Sequence, residues 1–249
     1  LTASNRWDGS SVLSKGNQWE SFPSVALGWK ISKESFLKNS SIISDLKLRA
    51  SLGYTGNDNV NAYASQALLD QQTFYANGSN LVAGWQSKNL ANIKLAWEKT
   101  REVNFGLDFG LLKNRISGSV DVYDRLSTNV INSRQLPYET GYARTFDNVG
   151  SVSNKGVEVS LTTKNIQLEK LKWETTFIFS KNINELVSIN YQETSDIGNN
   201  LILGSELNPN FHYVYDGVWQ ESEATQAALF GAKPGNGKLK DLNGDNKID

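Results

Sequence analysis

The chain has 249 residues, with 25 basic against 26 acidic side chains, one histidine, and no cysteine or methionine. The even charge balance removes the basic field that nucleic-acid binding needs, and the lack of cysteine excludes disulfides, thiolate metal sites and cysteine nucleophiles. With His212 as the sole imidazole, neither a Ser-His-Asp relay nor a multi-histidine metal centre is expected. Leu1 is preceded by no initiating methionine and no charged-then-apolar leader, so the sequence reads as an internal piece of something longer. No apolar run reaches the roughly 18 residues of a transmembrane helix. A mean hydropathy of -0.44 does not separate a soluble protein from a barrel wall, because barrel strands alternate lipid-facing and lumen-facing residues. Abundant Asn, Ser and Gly beside seven Trp, nine Tyr and ten Phe suit strands joined by polar turns. The expected class is all-β.

In chain order, the first alternating run sets Val25, Leu27, Trp29 and Ile31 against Ser24, Ala26, Gly28 and Lys30. The next sets Leu46, Leu48, Ala50, Leu52 and Tyr54 against Lys47, Arg49, Ser51 and Gly53. A long polar connection, Asn57 to Ala96, follows and carries a weaker strand-like piece at Tyr63 to Leu69. From Trp97 to Leu111, Val103, Phe105, Leu107, Phe109 and Leu111 oppose Glu98, Thr100, Glu102, Asn104, Gly106 and Asp108. This run is far longer than the ~5–6 residues usual in soluble domains. A tight turn at Lys113-Asn114 leads into Ile116, Gly118, Val120 and Val122, predicting an antiparallel hairpin. After a second long connection, Asn129 to Gly150, come Val157, Val159 and Leu161. Trp173, Thr175, Phe177 and Phe179 then oppose Glu174, Thr176, Ser180 and Asn182, with Ile178 an exception. The stretch after Glu185 is a third long connection with a strand-like piece at Leu201 to Leu203. Within it, Glu223 to Leu229 predicts a short helix capped by Ser222.

A soluble antiparallel sandwich would alternate in the same way. Three details favour a barrel in lipid: full charges on the polar faces, aromatic residues near the ends of the apolar faces (Trp19, Trp29, Tyr54, Trp97, Phe109, Trp173), and short turns alternating with long connections. A soluble carbohydrate-binding sandwich stays open as a binding module, and a barrel hydrolase as an enzyme. The paired acids Glu98 and Glu102 lack the matched partner that hydrolysis needs, so lumen-facing charge is the simpler reading and no enzyme is expected.

Several ordered strings go beyond pattern. Arg6-Trp7-Asp8-Gly9, Phe22-Pro23-Ser24-Val25-Ala26-Leu27-Gly28-Trp29 and Ser44-Asp45-Leu46-Lys47-Leu48-Arg49 are followed by Asn104-Phe105-Gly106-Leu107-Asp108-Phe109-Gly110. Asp121-Val122-Tyr123-Asp124-Arg125, Asn148-Val149-Gly150-Ser151-Val152-Ser153-Asn154-Lys155-Gly156-Val157-Glu158 and Tyr215-Asp216-Gly217-Val218-Trp219-Gln220 come next in order. The whole resembles the SusC/RagA family of TonB-dependent outer-membrane transporters of Bacteroidetes. The resemblance implies that residues 1–249 are part of a 22-stranded, plugged antiparallel transmembrane β-barrel with long extracellular loops, taken from its C-terminal half. The plug, the TonB-contacting segment and the closing strand would lie elsewhere in the protein. It further implies nutrient import of glycan or peptide oligomers with a SusD-like surface lipoprotein as lid and TonB as the driver.

Asp241, Asn243, Asp245 and Asp249 stand at positions 1, 3, 5 and 9 of an EF-hand-like loop, a spacing that can converge oxygens on Ca²⁺. Asn246 replaces the usual Gly, and the acid expected at position 12 falls past Asp249; the competing reading is an Asx-stabilised turn. Gly231 to Lys238 lacks P-loop spacing and reads as a surface loop. His212, between Phe211 and Tyr213, is expected to be a packed or interfacial aromatic. Tyr75, Trp85, Arg134, Tyr138, Tyr142, Arg144 and Phe146 are the candidates for gripping a ligand or a partner, since loop aromatics and guanidinium groups can hold sugars or peptide backbones.

Overall fold

The computed structural model describes residues 1–189, 194–207, 209–210 and 212–248, without the side chains of residues 72, 73 and 199. The chain forms two compact units, Leu1–Leu207 and Asn208–Asp249.

The first unit is built on one antiparallel sheet. Its strands are β1 (Thr2–Gly9), β2 (Trp19–Trp29), β3 (Ile43–Asn57), β6 (Glu98–Leu111), β7 (Ile116–Gln135), β8 (Arg144–Gln167) and β9 (Lys172–Ile189), each paired to the next in that order. A separate hairpin, β4 (Leu69–Asn77) with β5 (Asn80–Ser87), interrupts the connection from β3 to β6. Four-residue turns, 112–115 and 168–171, join β6 to β7 and β8 to β9, while the connections at the opposite end are longer, reaching from 58 to 97 between β3 and β6.

Register turns the alternating sequence into two continuous surfaces. One row runs Leu27–Ala50–Phe105–Val122–Val157 across β2, β3, β6, β7 and β8, and the next runs Trp29–Leu48–Leu107–Val120–Val159–Phe179. Among the described residues no element of the unit covers this face, and Phe105 is 62% exposed in mid-strand. The opposite face is polar and bonded across strands. Arg49 donates to Asp108 from Nε and one terminal nitrogen, both at 2.9 Å, and reaches Asp121 at 2.9 Å. It does so by lying across Gly106, where a Cβ would meet the guanidinium carbon at 2.5 Å. Gly156 similarly lets Tyr123 cross β8 so that its hydroxyl donates to Asn182 at 3.2 Å. Arg125 pairs with Glu102 directly opposite at 2.6 Å. These partly exposed pairs each contribute ~1 kcal/mol or less, but a slip of one residue would place every one of them on the apolar face, so they reinforce register.

Among the described residues, no helix is long and apolar enough to cross a membrane. The strands are. At a 45° tilt and ~3.4 Å per residue, the 14 residues of β6 rise about 33 Å along the membrane normal, more than the ~25 Å apolar band of an outer-membrane barrel. The exposed apolar rows are thus a lipid-facing surface and the ion-paired face a water-facing one. β7, β8 and β9, with 20, 24 and 18 residues, extend farther.

Two expectations change here. The Asn129 to Gly150 connection is mostly strand: β7 and β8 stay paired out to Gln135 and Arg144, so the loop proper is 136–143. Asn129, left-handed at φ 55, sits in the bulge between Ser127 and Val130 that lets the ladder continue. Trp97 is not an interfacial girdle residue; it is 6% exposed, stacks edge-on against Phe22 with centroids 5.5 Å apart, and donates from Nε1 to the Gln18 carbonyl. Trp19, Trp29, Tyr54 and Trp173 do remain exposed.

In the second unit, β10 (Tyr215–Val218) pairs with β11 (Gly237–Leu239). The helix α1 is Ala224–Leu229, one residue shorter at its start than expected, and Ser222 does not cap it. The capping box belongs to the preceding 3₁₀ turn, where the Glu223 carboxylate accepts from the Gln220 N–H at 3.0 Å. Lys238 bonds Glu223 at 2.7 Å and lies 4.6 Å from the ring centroid of buried Trp219. That backbone bond, reinforced by Lys238, holds the Glu223 carboxyl below its ordinary value. His212 is exposed, not packed.

Candidate functional site

At the long-connection end of the sheet the loops make the unit's main buried core. Leu13, Phe22, Leu95 and Trp97 are buried together, with Val12, Val60, Ala64, Ile131 and Phe146 packed against them. The apolar residues that lipid does not take are spent on fixing these loops.

Side-chain-to-backbone bonds complete the fixing. Asn148 donates to the carbonyls of Ala96 and Asn129 and accepts from the Ala96 N–H, tying β8 to the start of β6 and to the β7 bulge. Asn92 donates to the Phe146 carbonyl at 2.9 Å and to Asp147 at 3.1 Å. Asn89 accepts from the Leu68 N–H and donates to the Gln66 carbonyl. Thr145 donates to the Leu90 carbonyl. The result is a preformed cavity of about 340 Å³ lined by residues of the 58–97 connection together with Ser133, Arg144, Thr145 and Phe146.

The seven residues singled out in sequence fall into four groups. Arg144 and Phe146 line this cavity, although both belong to β8 rather than to a loop. Arg134, on β7, is engaged with Asp147 at 3.1 Å and helps hold the loops. Tyr138, 92% exposed, and half-buried Tyr142 belong to the short 136–143 loop, whereas Tyr75 and Trp85 are exposed on the β4–β5 hairpin. The structure therefore gathers two of the seven. Tyr63, Asn61, Lys88 and Asn89 join them at the cavity; they come from a polar connection without periodicity, and only the topology brings them beside β8. The strand-like piece at Tyr63 to Leu69 is turn as far as Ser65, with strand starting at Leu69.

The aspartate loop is a set of Asx turns. Asp241 accepts from the N–H of Gly244 at 2.6 Å and of Asn246 at 2.7 Å, Asn243 from Asp245, and Asp245 from Lys247. Asn246 adopts the left-handed conformation, φ 64, that its EF-hand position requires. Partial burial pushes the Asp241 carboxyl up, but the surrounding backbone N–H groups outweigh it and leave it below the usual carboxylate range. Among the described residues no group of three His, Asp or Glu side chains is arranged to hold a metal ion. Asp249, the fourth candidate ligand, lies outside the described residues.

Residues 1–245 match the profile of the family described as TonB dependent receptor-like, beta-barrel. The chain belongs to this family of TonB-dependent receptors. TonB-dependent receptor P39 of Formosa agariphila is 39% identical over 225 residues, 90% of the chain and 21% of that protein. TonB-dependent receptor SusC of Bacteroides thetaiotaomicron is 35% identical over 257 residues, 96% of the chain and 26% of that protein. Among solved structures, the RagAB peptide transporter superimposes with a TM-score of 0.76 at 29% identity, covering 88% of the chain and 24% of the other. The RagAB peptide importer in its closed-closed state gives 0.77 at 27% identity, over 98% and 27%. The chain thus spans roughly a quarter of the length of these relatives. It is a stretch of antiparallel outer-membrane β-barrel wall, with the barrel not closed by these strands. The family is one of transporters rather than enzymes.

Proposed function

We propose that the chain forms part of the wall and outer loops of a SusC-like importer that takes up glycan or peptide oligomers, works with a SusD-like surface lipoprotein as lid, and draws energy from TonB through a segment outside these residues. The observation that carries this reading is the pair of continuous faces on one sheet. An uncovered apolar surface spans β2 to β9, backed by an ion-paired polar surface, and both end in loops with a preformed cavity. A soluble sandwich would need a second sheet over the apolar face, and the described residues of the first unit supply none there. The family's other members, named as receptors and transporters, support import over the hydrolase alternative.

The test is uptake. Cells carrying the full-length protein should accumulate labelled oligomers in a TonB-dependent manner, and deleting TonB or the partnering lipoprotein should remove it. Uptake unchanged by loss of TonB would overturn the import reading. Ca²⁺ at the aspartate loop is a second, separable proposal: it requires Asp249 and a further acid to complete the set that Asp241, Asn243 and Asp245 begin, and the Asx turns already bring the first three positions into one loop.

A further inference from the structure

We propose that the cavity beside Arg144 binds the carboxylate-bearing terminal ring of an acidic oligosaccharide, a glycan ending in a uronic acid. This rests on the import reading and gives it a substrate class. The charge comes first. Lys88 and Arg144 both line the cavity, and among the described residues neither side chain has a hydrogen-bond or ion-pair partner. No Asp or Glu is among the lining residues, and the nearest acid along β8, Asp147, is already taken by Arg134 and Asn92. Two uncompensated cations in one concavity favour an anion, and a guanidinium matches a carboxylate in shape.

The rest of the lining suits a sugar. Tyr63 and Phe146 bring aromatic rings, and the Asn61 amide and Ser133 hydroxyl add uncommitted polar groups. Tyr63 is held in a left-handed conformation, φ 65, by a turn in which its carbonyl accepts from the Gln66 N–H at 2.9 Å. A non-glycine residue kept in that region costs free energy and is retained where the surroundings demand it; here the turn sets its ring at the cavity. The rim is knitted by Asn89, Asn92 and Thr145, so little ordering is left to be done on binding. A volume of about 340 Å³ is at the small end for ligand sites, about 300–1,000 Å³, which fits the end of an oligomer rather than its length.

The experiment is calorimetric titration of the full-length protein in detergent with three probes: a galacturonic acid trimer, a neutral galactose trimer and pentaalanine with a free carboxylate. The acidic trimer should bind, weaken as salt rises, and lose at least tenfold in affinity in Arg144→Gln and more in Arg144→Gln with Lys88→Gln; Arg144→Lys should recover part of the loss. The neutral trimer should bind at least tenfold more weakly. Heat-shifted electrophoretic mobility reports that each variant has formed its barrel. Lys88 follows the end of β5, outside the wall, so Lys88→Gln alone gives the reading if the Arg144 variants do not assemble. No binding of the acidic trimer, equal binding of the neutral one, or affinity unchanged by removing both cations overturns the proposal. Preferential binding of the peptide through Arg144 overturns the sugar assignment. TonB-dependent uptake of neutral oligomers without acidic-trimer binding would sink this proposal and leave import standing, while acidic-trimer binding without energised uptake would support the site and count against import.

Discussion

Placing an arginine at Phe105 tests the two-faced wall at an exposed point in mid-strand. Phe105 lies six residues from Leu111 at the turn end of β6, opposite Ala50 and Val122. At 35–45° tilt those residues rise about 14–17 Å, close to the middle of a ~25 Å apolar band. A charge there costs ~2–4 kcal/mol, about a 30- to 700-fold shift of the folding equilibrium at roughly tenfold per 1.4 kcal/mol. The control is Ser160→Arg, on the water-facing side of β8 beside Ser119 and Ile178, which introduces the same group where water solvates it and should cost under about 1 kcal/mol. Urea titration of the full-length protein folded into liposomes reads both. Equal destabilisation by the two substitutions, or none by Phe105→Arg, would refute the assignment of faces.

Gly106→Leu should displace Arg49 from Asp121, since even a Cβ would stand 2.6 Å from the Asp121 carboxylate oxygen; a loss of ~1–3 kcal/mol in the same titration is expected, and no loss would mean that the bridge is dispensable. Replacing only 136–143 by a Gly/Ser linker should leave barrel assembly intact, because Phe146 and the paired strand ends remain. Extending the replacement to 132–146 should unseat the loop core and raise the yield of misassembled protein on heat-shift gels. The Glu223 contact to Gln220 and Lys238 should weaken in acid: its folded pKa lies below the unfolded value, so its stabilisation is complete above the ordinary carboxylate pKa of ~4.3 and disappears as pH falls through the depressed value. Amide exchange at residues 220–223 measured across that range would contradict this if it stayed flat. Calorimetry with Ca²⁺ on full-length protein, compared with Asp241→Ala plus Asp245→Ala, should show a binding event only in the wild type; identical traces would leave the loop as Asx turns alone.

The wall was legible because lipid and water impose a period of two that nothing else in the chain imitates. Phe105, Leu107 and Val120 could be assigned to a face without any structure, and register bears them out. β1 was not read, since Thr2 to Gly9 has little alternation. The continuation of β7 and β8 above the membrane was missed for a related reason. Once both faces are wet or packed by loops the alternation stops, and pairing persists through the backbone and through Asn148 instead. Trp97 misled because an aromatic at a strand end has two uses, interfacial anchor and loop core, and only its neighbours Leu13, Phe22 and Leu95 decide between them. Of the cavity, Arg144 and Phe146 were visible as loop aromatics and cations usually are. Lys88 and Tyr63 were not, because they lie far away in sequence and meet β8 only through the long β3–β6 connection.

The central claim is that β6 stands in the bilayer with alternate residues in lipid. Residues 1–249 contain no cysteine, so single cysteines introduced from Glu102 to Phe109 in the full-length protein can carry an environment-sensitive fluorophore in this stretch without competition from its own thiols. Labels at Val103, Phe105, Leu107 and Phe109 should be quenched by lipid-borne quenchers and spared by aqueous ones, and labels at Glu102, Asn104 and Asp108 should show the reverse; Gly106 is left unlabelled because a side chain there would displace Arg49. Aqueous quenching of all seven positions alike, with no alternation, would contradict the account.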